Sequence, residues 1–259
     1  MSHPRPFGRQ ADQPVPAVAE AAAVAVCANC QAPLQGPFCH ACGQPAKVRE
    51  SVLDLARDLW ARLIDVNRGS LVGLGRLVVA PGRMTADWLA GRRVRALAPW
   101  HALMLALSVY YLAPLVFNYE HRSGDMAERI ARDAEQWRLS GLVMLGSMMP
   151  CHFAGLSALL AGREASAYRH LVTTIYQFAF ILLLTPVAGL ILARGDGGSI
   201  MLALYGFAAA LFAHLIDHLR GAYGLSWFGA IWRTVVLMAL NLAAFGTVTT
   251  FAALVFDTV

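Results

Sequence analysis

Within the last 160 or so residues, five stretches of hydrophobic positions run on without a recurring polar face. Between Arg95 and Glu120 lie 24 residues without a formal charge, between Arg138 and Arg163 another 24, and between Arg169 and Arg194 another 24. Asp196 to Asp217 encloses 20, and Arg233 to Asp257 encloses 23. About 20 apolar residues rising about 1.5 Å each cross a hydrocarbon core about 30 Å thick. The pattern therefore predicts an all-α membrane protein with about five transmembrane helices in 97–259, the last beginning near Trp227. Pro114, Pro150 and Pro186 fall inside these runs, where membrane helices tolerate proline and commonly kink. A soluble protein with buried helices would show shorter runs with a polar face.

Upstream the pattern changes. From Ser51 to Val66 apolar residues recur at Val52, Leu55, Leu59, Leu63 and Val66, while Asp54, Arg57, Asp58, Arg62 and Asp65 occupy the other face. This predicts an amphipathic helix at the membrane interface or on a partner. "PGRMTADWLAGRRVRALAP" follows, with a turn expected at Pro81-Gly82 and a short helix around Trp88 that stops near Gly91. Residues 46–96 thus form an amphipathic, juxtamembrane segment. Residues 1–26 are rich in Pro and Ala without helical period and are expected to be a disordered tail. "AEAAAVAVC" is not expected to be a signal peptide, because Asp12, Glu20 and prolines interrupt its approach and bulky Val26 precedes Cys27.

Composition agrees with the pattern: 58% of residues are hydrophobic and 14% charged, against about 25% charged in soluble domains. Charge adds an orientation. Residues 1–96 hold 12 Arg/Lys and 7 Asp/Glu, a net of +5, whereas 97–259 hold 9 of each. Arg76, Arg83, Arg92, Arg93 and Arg95 precede the first run, Arg163 and Arg169 follow the second, and Arg220 follows the fourth. Arginine in short flanks marks the cytoplasmic side. The expected arrangement is a bacterial inner-membrane protein with a cytoplasmic N-terminus, an outer C-terminus and a surface helix at "DMAERIARDAEQW" outside. The five arginines from Arg76 to Arg95 are then candidates for anionic phospholipid headgroups. Lys47 is the only lysine among the twenty-one basic residues.

Candidate chemistry concentrates in 27–45, where Cys27, Cys30, Cys39 and Cys42 have the spacing C-x2-C-x8-C-x2-C. Two paired thiolate turns make a tetrahedral S4 site suited to one structural Zn²⁺, and a module this small needs metal to fold. Disulfides do not fit a cytoplasmic location, and no thioredoxin-like pattern surrounds the cysteines. Four thiolates leave no open position for catalysis. Gly36 is expected to permit the reversal between the arms. "QAPLQGPF" has no Lys or Arg, and Phe38 is its only aromatic, so nucleic acid is not the expected partner. A protein partner is.

"CANC…FCHACGQ", "APGRMTADWLAGRRVRALAP", "MMPCHFAGLSALLAGREASAYRHLVTTIYQFAF" and "GAYGLSW" together resemble the bacterial family of domain of unknown function 3667. The resemblance covers nearly all the chain after Val26. It implies a membrane protein with an N-terminal zinc ribbon and no established activity. Two positions depart from it: Gln31 where ribbons often carry glycine, and Arg169 where Glu usually precedes the histidine at 170.

Several polar residues lie in or near the spans, where they are costly and are functional candidates. His101, His170, His214, Asp217, His218 and Arg233 fall at similar depth on the predicted topology, and His214 and His218 share a helix face. Interfacial or packing roles compete with a joint metal, proton or substrate site. His152 is deeper, and a carbonyl freed by Pro150 is its expected partner. Cys151 is expected to be a packing residue. The sequence favours a scaffold or interaction protein. A small ion or solute transporter built on the polar cluster is the alternative, and the spans show no visible repeat. No nucleophile elbow, HExxH or phosphate loop marks an enzyme. Homo-oligomerisation is left open.

Overall fold

The computed structural model describes residues 25–48, 50–62, 68–94, 96–117, 141, 144–162, 166–194 and 197–256. Most of the expected tail, the end of the expected amphipathic helix (63–66) and the expected outer surface helix lie outside these residues.

Ser51 caps α1 (Val52–Arg62). Its Oγ accepts from the Asp54 N–H at 3.1 Å and donates to the Asp54 carboxylate at 2.6 Å, which satisfies an amide left over at the helix start. Leu55 anchors the inner face of α1 in the core. α2 (Arg68–Val79) has no counterpart in the expected elements. Its glycines and apolar residues, broken only by Arg76 after Ser70, give no regular polar face to read, and Leu71, Val72, Val78 and Val79 point outward. α3 (Pro81–Leu89) corrects the expected turn: Pro81 and Gly82 form its first turn, where proline's missing N–H costs nothing. Gly91, at φ +78°, ends the turn after it.

α4 (Pro99–Phe117) leads into the uncharged region. A π-helical turn, Met144–Met148, runs into α5 (Met149–Leu159), with Pro150 in the first turn of α5. α6 (Ala167–Arg194), α7 (Gly197–Tyr223) and α8 (Trp227–Phe256) complete the chain. Among the described residues, three stretches are long and apolar enough to cross a membrane: Ala167–Gly189, Ile200–Tyr223 and Trp227–Val248. They match the third, fourth and fifth expected spans. The other two expected spans, 96–119 and 139–162, run partly outside the described residues.

α6 is the axis of the bundle. Within the protein 61% of its span is buried, against 18% for α7 and 22% for α8. Val172, Ile175, Tyr176, Ala179 and Leu182 of α6 pack with Ala102, Leu103 and Ala106 of α4. A second core joins Leu156 of α5 and Leu160 just after it to Leu215 and Leu219 of α7 and Leu237 of α8. Leu202, Tyr205, Phe228 and Leu242 face outward, an apolar surface of the kind a bilayer covers.

α3 crosses the end of α7 at a glycine pair. A Cβ on Gly221 would overlap the Gly82 backbone, and one on Gly82 would lie 2.9 Å from the Asp217 carboxylate. Asp217 Oδ2 accepts from the Gly82 N–H at 2.8 Å. This crossing brings α3, the start of α6, the end of α7 and the start of α8 to one end of the bundle.

Candidate functional site

The two cysteine arms fold alike, twelve residues apart. In the first, the N–H groups of Cys27, Gln31 and Leu34 donate to the carbonyls of Ala32, Cys27 and Ala25. In the second, Cys39, Gly43 and Ala46 donate to Gln44, Cys39 and Pro37. A β-bridge closes each arm, Val26 with Pro33 and Phe38 with Pro45. The residue after each CxxC is left-handed, Gln31 at φ +63° and Gly43 at φ +76°. Between the arms the chain bends at Gly36 and Pro37, and Gly36 does so without a positive φ. A side chain in the left-handed conformation costs about 1–2 kcal/mol. Gln31→Gly is expected to tighten metal binding about fivefold, equivalent to about 1 kcal/mol. Competition with a chromogenic chelator measures it, and unchanged affinity would show that Gln31 is unstrained.

The Sγ atoms of Cys27 and Cys42 are 3.6 Å apart, those of Cys30 and Cys39 are 3.5 Å apart, and all four lie within 4.8 Å of one another. These are free thiols, grouped so that each can give one ligand to a single metal ion. Burial disfavours the Cys39 thiolate, but the N–H groups of Cys42 and Ala41 and the thiols of Cys30 and Cys42 outweigh it. Together they bring the pKa down to about 6, whereas at Cys30 the Ala32 N–H is outweighed by the neighbouring thiols and burial, which push its pKa up to about 12, so within this close pair one sulfur favours the thiolate and the other the thiol.

The module is seated on the helical bundle rather than tethered to it. Buried Gln44 donates from Nε2 to the Gly91 carbonyl at 2.7 Å and accepts the Arg93 N–H on Oε1 at 3.1 Å. Asn29 accepts the Val94 N–H at 3.4 Å. Beneath this seat, Trp88 Nε1 and Arg93 Nη2 donate to the Tyr168 hydroxyl at 2.8 and 3.0 Å, and the Arg93 guanidinium lies 4.7 Å from the Trp88 ring centre.

The arginines expected at headgroups are in part engaged within the protein. Arg76 and Arg92 hold Asp87 at 2.7 and 2.6 Å. Burial raises the Asp87 pKa, but hydrogen bonds from Arg92 and then Arg76 prevail and hold it below its usual value. Arg93 belongs to the Trp88–Tyr168 group, Arg83 is exposed, and Arg95 lies outside the described residues.

Of the six polar candidates, two converge. His214 Nε2 donates to the Leu77 carbonyl at 2.9 Å, so its Nδ1 must accept when the ring is neutral. The Gln177 side-chain amide faces His214 Nδ1 at 3.1 Å and His218 Nδ1 at 3.3 Å. Turned so that its NH₂ faces the rings, it donates to both, and His218 Nε2 then donates to Thr85 Oγ1 at 2.6 Å. Every ring nitrogen of the pair is used, with no lone pair left for a metal.

The other candidates have separate surroundings. Asp217 holds Gly82, and His170 Nδ1 meets the Tyr223 hydroxyl at 2.8 Å. Arg233 donates to the Leu159 and Gly229 carbonyls at 3.2 and 2.9 Å. His101 Nε2 is buried without a hydrogen-bond partner among the described residues. The partner of His152 is the Asn241 side-chain amide at 2.8 Å, in place of the expected carbonyl. Sequence reasoning misses Gln44, Thr85, Trp88, Tyr168 and Gln177. The one available signal is the polar triplet Thr173, Thr174 and Gln177 inside an uncharged run.

Comparison with protein-family models, with curated proteins and with solved structures finds no match to this chain.

Proposed function

We propose that this chain is a scaffold or interaction protein of the bacterial inner membrane, of the kind grouped as domain of unknown function 3667. It crosses the membrane about five times and presents a cytoplasmic module with one structural Zn²⁺ to a protein partner. The observation that carries this reading is the seat made by Gln44: a module bonded to the bundle end displays a surface in fixed orientation. Val26 and Phe38 stand on that module 54% and 62% exposed, apolar side chains that a partner would cover.

Zinc fits the sulfur spacing. Bonds of about 2.3 Å in a tetrahedron set sulfurs about 3.8 Å apart, close to the 3.5 and 3.6 Å of the two nearest pairs. Four thiolates fill the shell, which makes the ion structural. Arg169, Arg220 and Arg233 belong to the module's end of the bundle, and Arg220 and Arg233 stack on Trp227 and Trp232 at 3.8 and 4.2 Å. The tryptophans suit a membrane boundary, and the arginines favour its cytoplasmic side. A transporter using the polar cluster has less support, because His214 and His218 are occupied by internal hydrogen bonds.

Two measurements test this proposal together. A periplasm-dependent reporter is expected to be active after Val259 and silent after Gly162. Phe38→Ser is expected to keep its zinc and to lose a protein that the native chain captures. A reversed reporter pattern would overturn the topology, and identical captured proteins would overturn the partner surface.

A further inference from the structure

Between the cysteine module, α1 and the start of α6 lies a cleft of about 470 Å³, within the size range of small-ligand sites. Buried Trp88 and Tyr168 line its inner part, and Phe38, Pro45 and Leu55 add apolar surface. Lys47, Arg57 and Arg93 also line it, against the single carboxylate of Asp54 among the described residues. That carboxylate is engaged by Ser51 at 2.6 Å and Arg57 at 3.4 Å. The cleft therefore carries an excess of positive charge beside an apolar wall. Arg93 is held in place by Trp88 and Tyr168, so little side-chain freedom remains to be lost on binding. Tyr168 is the second residue of the span Ala167–Gly189, which puts the inner part of the cleft at the membrane boundary.

We propose that this cleft binds a phosphate-bearing ligand with an apolar portion. The phosphate meets Lys47, Arg57 and Arg93, whose guanidinium and ammonium donors suit its oxygens, and the apolar portion lies against Phe38, Pro45 and Leu55. The same chemistry comes from two sources, an anionic phospholipid headgroup or a free phosphate ester. The proposal does not depend on a protein partner for the module, and its test leaves Phe38 unchanged.

Lys47, the only lysine, makes the cleft directly readable. Full-length protein in phosphatidylcholine nanodiscs is treated with an amine-reactive ester, and Lys47 modification is followed by mass spectrometry against the N-terminal amine of the same chain. One arm adds phosphatidylglycerol to the discs, and another adds glycerol 3-phosphate to the solution. At ligand about ten times Kd, modification of Lys47 is expected to slow about tenfold. Arg57→Gln, at an exposed position, is expected to weaken binding about fivefold. Protection by phosphatidylglycerol alone identifies a headgroup, and protection by glycerol 3-phosphate in neutral discs identifies a soluble ester. The proposal is overturned if neither protects Lys47. It is equally overturned if Arg57→Gln protects as well as the native chain, or if the N-terminal amine slows in parallel, since either result reports only the field of an anionic surface.

Discussion

Replacing both Cys39 and Cys42 with serine is expected to take bound zinc from about one ion per chain to nearly none. The sulfurs of these residues complete both close pairs, Cys30–Cys39 and Cys27–Cys42, so two ligands remain where four are needed. Structural zinc contributes about 10–16 kcal/mol of apparent binding free energy in small zinc-folded peptides, far more than the two short bridges of this module supply. Elemental analysis of protein purified without added metal gives the stoichiometry. The same loss should follow acidification, because protons compete for the thiolates. Zinc unchanged in the double variant would place the ion elsewhere in the chain. The uncoordinated module should also leave its seat, which exposes Gly91 and Arg93 to exchange and proteolysis without melting α6.

The second large effect is expected at the crossing of α3 and α7. Gly221→Ala puts a methyl group into the Gly82 backbone, and neither helix can yield without breaking the Asp217–Gly82 and His218–Thr85 hydrogen bonds. Overpacking a close backbone contact costs about 3 kcal/mol or more. The small-residue crossing is the membrane counterpart of soluble close packing. A Cβ on Gly206 of the same helix would meet nothing within 4 Å, and Gly206→Ala is expected to be neutral or to stabilise by up to about 1 kcal/mol. Thermal unfolding in detergent separates the two variants. Equal melting temperatures would mean that α3 is not clamped to α7.

What can be read in the sequence is local. The CxxC arms, the capped amphipathic α1 and the uncharged runs that form α6, α7 and α8 each carry their signal within a few turns of chain. α2 escapes such a reading because its glycines and apolar residues mix without a polar stripe. Pro81-Gly82 reads as a turn, since both residues suit turns and proline also suits a helix start, and the contact with α7 decides between them. The seat of the module leaves no local mark: Gln44 meets Gly91 across 47 residues and Trp88 meets Tyr168 across 80. For the same reason the histidine pair can be placed on one face, but its partners Gln177 and Leu77 cannot be named.

The glycine crossing also has a consequence in time. Gly221 is synthesised 139 residues after Gly82, a delay of roughly 7–28 s at about 5–20 residues per second. Through that interval the α7 surface on which α3 rests does not yet exist. The four thiols are made before the described helices, and their arms close through hydrogen bonds of their own. In this chain the crossing of α3 and α7 closes only near the end of synthesis.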